Sequence, residues 1–88
     1  MPYIKRERRN EFYDVQAGAL RVGIADAGEL NYIITQMVRR FLAREGTPPR
    51  YADFNAAIGA LECCKMELYR RMIAPYEDKK IAENGDVY

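Results

Sequence analysis

The chain reads as all-α: a small bundle of about three helices with a short C-terminal helix or docked tail, completed by homo-oligomerisation. Three observations predict this. Apolar residues recur at intervals of three and four along three stretches of the 88 residues. Two breaks separate those stretches, one ahead of Asp26 and one at Gly46 and Pro48-Pro49. The apolar surface is also broader than one chain of this length can hide, and a single 88-residue core leaves little net stability unless a partner copy, metal or disulfide adds to it.

The first helix is expected from about Glu7 to Val22, where Phe12, Val15, Ala19 and Val22 line up and Tyr13 and Leu20 widen the stripe. Gly18 and Gly23 weaken its second half, each costing roughly 1 kcal/mol against Ala. In the segment Ala25-Asp26-Ala27-Gly28-Glu29, Asp26 is placed to start the second helix, and Glu29 suits the positive end of its dipole. Leu30, Ile33, Ile34, Met37, Val38, Phe41 and Leu42 then carry it to about Glu45, with Gln36, Arg39, Arg40 and Arg44 on the other side and Gly46 as the left-handed stop. After a loop from Thr47 to Tyr51, Asp53 is the expected N-cap of a long third helix. Phe54, Ile58, Leu61, Leu68 and Met72 mark one of its faces, and Ala57, Cys64, Met66, Tyr69 and Ile73 mark a second line. One neighbouring helix would not cover both lines. Pro75 should kink or stop the helix, with a short restart through residues 77–82 that ends at Asn84-Gly85. No internal repeat or heptad array emerges.

The composition excludes several kinds of chemistry. With no histidine and no Cys-x-x-Cys spacing, a zinc site lacks ligands and imidazole-based catalysis has no agent, so neither metal nor cofactor is expected. Cys63 and Cys64 are adjacent and cannot pair with each other inside a helix, which fits reduced thiols and a cytoplasmic setting. No run of about 18 apolar residues exists, and the basic start leads into Asn10-Glu11, not the hydrophobic stretch of a signal peptide, so no membrane partner is expected. The net charge of +1 is split unevenly: residues 1–50 hold nine Lys or Arg against six acids, and residues 51–88 hold five against seven. That polarity suits guided self-docking better than nonspecific nucleic-acid binding.

Four groups of residues are candidates for function. Tyr69, Arg70, Arg71 and Tyr76 cluster around the Pro75 break, and Tyr32, Arg39 and Arg40 lie on the second helix, expected to pack antiparallel to the third. Guanidinium forks and tyrosine rings could together hold an anionic, aromatic small molecule such as a nucleotide, or a protein partner. The plainer reading pairs the arginines with Glu67, Glu77 or Asp78. The final residues, ending on Tyr88, are rich in aromatic and acidic groups and are expected to dock, with the Tyr88 carboxylate near an arginine. For Gly28-Glu29-Leu30-Asn31-Tyr32, a structural cap is favoured over an anion site, because Glu29 would oppose a phosphate. Lys5, Arg6, Arg8 and Arg9 form a basic arm able to reach phosphates, but Glu7, Glu11 and Asp14 dilute it and no groove-reading helix is present. Catalysis would fall to Glu62, Glu67, Glu77, Asp78, Lys65 and the cysteines, which lack an activating partner. An enzyme is not expected.

The segments Gly28-Glu29-Leu30-Asn31-Tyr32, Gly59-Ala60-Leu61-Glu62, Glu67-Leu68-Tyr69-Arg70-Arg71 and residues 74–88 resemble a family of small uncharacterised proteins of phages, prophages and bacterial genomes. The resemblance covers roughly residues 28–88 and implies a phage or mobile-element setting, with no catalytic residue to carry over. The leading expectation is a noncatalytic homo-oligomeric binding or adaptor module. A sponge that sequesters a small nucleotide and a nucleic-acid-binding regulator are the alternatives.

Overall fold

The computed structural model describes residues 4–43 and 46–88. Every regular element among them is helical, and the chain divides into two compact units, Met1–Pro49 and Arg50–Tyr88.

The first unit holds α1 (Arg6–Asn10), α2 (Tyr13–Val22) and α3 (Ala27–Leu42). The continuous first helix expected from Glu7 to Val22 is therefore broken at Glu11-Phe12. At that point the Glu11 and Phe12 amides donate to Arg8 and Arg9, a tighter i→i+3 pattern. The Arg8 guanidinium pairs with Glu11 and lies 4.9 Å from the centre of the Phe12 ring, which holds this turn in place. α2 stops where Gly23 takes φ +82°, a left-handed conformation that costs glycine little, while its amide donates to the Ala19 carbonyl at 2.8 Å.

α3 begins as its sequence predicts. The Asp26 Oδ1 accepts from the Glu29 amide at 2.9 Å, and the Glu29 carboxylate reaches back to accept from the Ala25 amide at 3.0 Å. It ends at Leu42, three residues before the expected limit; the expectations for Arg44 and Glu45 lie outside the described residues. Gly46 has the left-handed φ, +67°, anticipated for the stop. Val15, Ala19 and Val22 of α2 and Ile33 and Met37 of α3 line a groove of about 270 Å³. The unit nevertheless buries none of its described side chains fully, and Leu20 is 85% exposed.

The second unit is one helical run with a four-residue tail. α4 (Tyr51–Leu68) passes into a π-helical turn (Tyr69–Ile73), which passes into α5 (Ala74–Asn84). Two expectations for this unit need correction. Tyr51 belongs to the helix, and its N-cap is Arg50, not Asp53. Asp53 sits three residues in, where its carboxylate accepts from the Arg50 amide at 2.9 Å and so satisfies the chain entry from the far side.

Pro75 likewise does not end the helix. A proline inside an α-helix lacks one amide hydrogen and crowds the carbonyl four residues back, here that of Arg71. The wider π turn resolves this crowding, with the Ala74 amide donating to the Tyr69 carbonyl five residues back. The helix then runs on to Asn84, where Gly85 ends it at φ +86° as the Asn84-Gly85 pair predicts.

α4 is apolar on two opposite sides. Phe54, Leu61 and Leu68 lie on one, Ala52, Ala56, Gly59 and Cys63 on the other, and Glu62, Lys65, Asp53 and Glu67 occupy the edges between. A single helix has no interior of its own. Among the described residues Ala57, 6% exposed, is the only buried one. No helix is long and apolar enough to cross a membrane among the described residues.

Candidate functional site

The π turn places the C-terminal candidates next to one another. Arg70 Nη2 donates to Glu67 Oε1 at 2.9 Å, and Arg71 Nε donates to the same oxygen at 3.0 Å. One carboxylate at the end of α4 therefore orders two consecutive guanidinium groups, the pairing that i,i+3 and i,i+4 spacing allows. Both arginines remain largely exposed, so the arrangement is a held surface and not a closed pocket.

Tyr69 is tied to α5. The Glu77 carboxylate accepts a hydrogen bond from its hydroxyl and adds negative charge beside it, and together with slight desolvation this raises the tyrosine above its ordinary pKa of 10.0. In a plain α-helix, residues eight apart stand about 80° from each other around the axis. A π turn winds less per residue, which brings Glu77 back to the side of Tyr69. Proline at position 75 thus explains the one clear electrostatic perturbation among the described groups.

Tyr76 has a different partner. The Lys80 ammonium lies 5.5 Å from the centre of its ring and also pairs with Glu83 at 3.3 Å. Beyond Lys80, the tail follows the end of α5. The Tyr88 amide donates to Asp86 Oδ1 at 3.0 Å, and Tyr76, Lys80, Ile81, Asp86 and Tyr88 border a shallow groove of about 340 Å³. The tail is turned by this short contact, but Val87 and the Tyr88 side chain stay fully exposed.

The remaining candidates sit in the first unit. Arg39 Nη1 donates to Gln36 Oε1 at 3.4 Å, Arg40 lies beside it in sequence, and Tyr32 borders a groove of about 410 Å³ with Val22, Ile24 and Ile33. In the glycine-led motif that contains Tyr32, a Cβ at Gly28 would stand 3.3 Å from the capping Asp26 Oδ1, so this glycine and Glu29 both serve the helix start. The basic arm is engaged locally: Lys5 precedes α1 as its N-cap, Arg9 Nε donates to the Ile4 carbonyl at 3.0 Å, and Arg8 holds Glu11 and Phe12. Arg6 opens α1.

The sequence pointed to Glu67 as a partner of Arg70 and Arg71 but gave no signal for the Tyr69–Glu77 and Tyr76–Lys80 pairs. The first pair depends on the winding of the π turn. The second has i,i+4 spacing, which is ordinary among helix surface residues. Among the described residues no group of three or more His, Cys, Asp or Glu side chains is arranged to hold a metal ion. The chemistry on offer is that of an exposed recognition surface, with two ordered guanidiniums, two tyrosine rings and flanking carboxylates.

No curated protein and no solved structure matches the chain. Residues 1–87 match DUF6899, a domain of unknown function, and the chain belongs to that family.

Proposed function

We propose that the protein is a noncatalytic binding or adaptor module that works as a homo-oligomer. The observation that carries this reading is the exposure of the apolar side chains: among the described residues only Ala57 is buried, while Ile58, Met72 and Leu20 are 64%, 65% and 85% exposed. Such surface is stable in water when another molecule covers it. Tyr69, Arg70, Arg71 and Tyr76 then form the recognition surface of the assembly. Glu67 holds both arginines beforehand, which lowers the cost of ordering them on contact with a partner. The same carboxylate competes with any phosphate for both forks, which favours a protein partner over a free nucleotide. We propose this role in a phage or mobile-element setting, in the cytoplasm of a bacterial host, a reading supported by the resemblance noted above.

Native mass spectrometry of the purified chain tests the reading. The expected spectrum shows two or more copies per particle and no bound small molecule. A single-chain mass at every concentration would overturn it, and a copurified nucleotide would replace it with the sponge.

A further inference from the structure

We draw no further inference here: the strongest candidate, the apolar groove between α2 and α3 lined by Val15, Ala19, Ile33 and Met37, is an unpartnered surface of the first unit, and nothing in the structure shows what covers it.

Discussion

At the scale of single residues, three carboxylates organise the candidate surface and the helix starts. Glu67 holds Arg70 and Arg71 on one oxygen, but all three side chains are at least a third exposed, so solvent screens the pairs. Glu67→Gln should lower stability by less than about 1 kcal/mol in a thermal melt. A larger loss would mean that a partner buries the cluster. Asp26 caps α3 through the Glu29 amide, and Asp26→Ala should cost about 1 kcal/mol in the same measurement.

Glu77 acts on Tyr69. The raised pKa belongs to the protonated hydroxyl that donates to the carboxylate, so the stabilisation is fully present below the unfolded value of about 10 and is lost as pH rises through the folded one. Absorbance titration of the tyrosines should show one group ionising late, and Glu77→Gln should bring it back among the others. The Glu67 pairing was legible in the sequence because i,i+3 and i,i+4 neighbours always share a helix face. The Glu77 contact was not, because its eight-residue spacing shares a face only when the winding changes.

At the scale of elements, legibility followed how local the deciding interaction is. The start of α3 and the stops at Gly23 and Gly85 depend on side chains or φ angles within one turn, and Asp26, Glu29 and the two glycines display them directly. The break between α1 and α2 depends on Arg8 folding over Phe12, which hydrophobic spacing does not reveal because Phe12 keeps its place in the apolar stripe. Pro75 was legible as a disturbance but not as its outcome. The chain could have stopped, kinked or widened, and the apolar residues on both sides of the proline favour a continuous rod. Pro75→Ala removes the crowding at the Arg71 carbonyl and should let the π turn relax to an α turn, rotating α5 relative to α4. Tyr69 and Glu77 would then part, so the late-ionising tyrosine should disappear in Pro75→Ala although neither partner is altered. A persistent late ionisation would show that the π turn has a cause other than the proline.

At the scale of the whole molecule, the exposed apolar surface bears on one question, whether the chain folds alone or only together with a partner. Among the described residues only Ala57 is buried, so each unit taken by itself has little of the interior that stabilises a lone domain of this size. The sequence made this legible through the width of its apolar stripes. If association and folding are one event, the melting temperature must depend on concentration, since dilution favours separated, unfolded chains. A hundredfold change in concentration shifts the dimer's free energy by about 2.7 kcal/mol. With an unfolding entropy of about 2.1 cal/mol/K per residue over both chains, the midpoint should rise by about 7 °C across that range. Circular dichroism melts at the two ends of the range measure this directly. A midpoint that does not move would mean that each chain closes its own apolar surface without a partner.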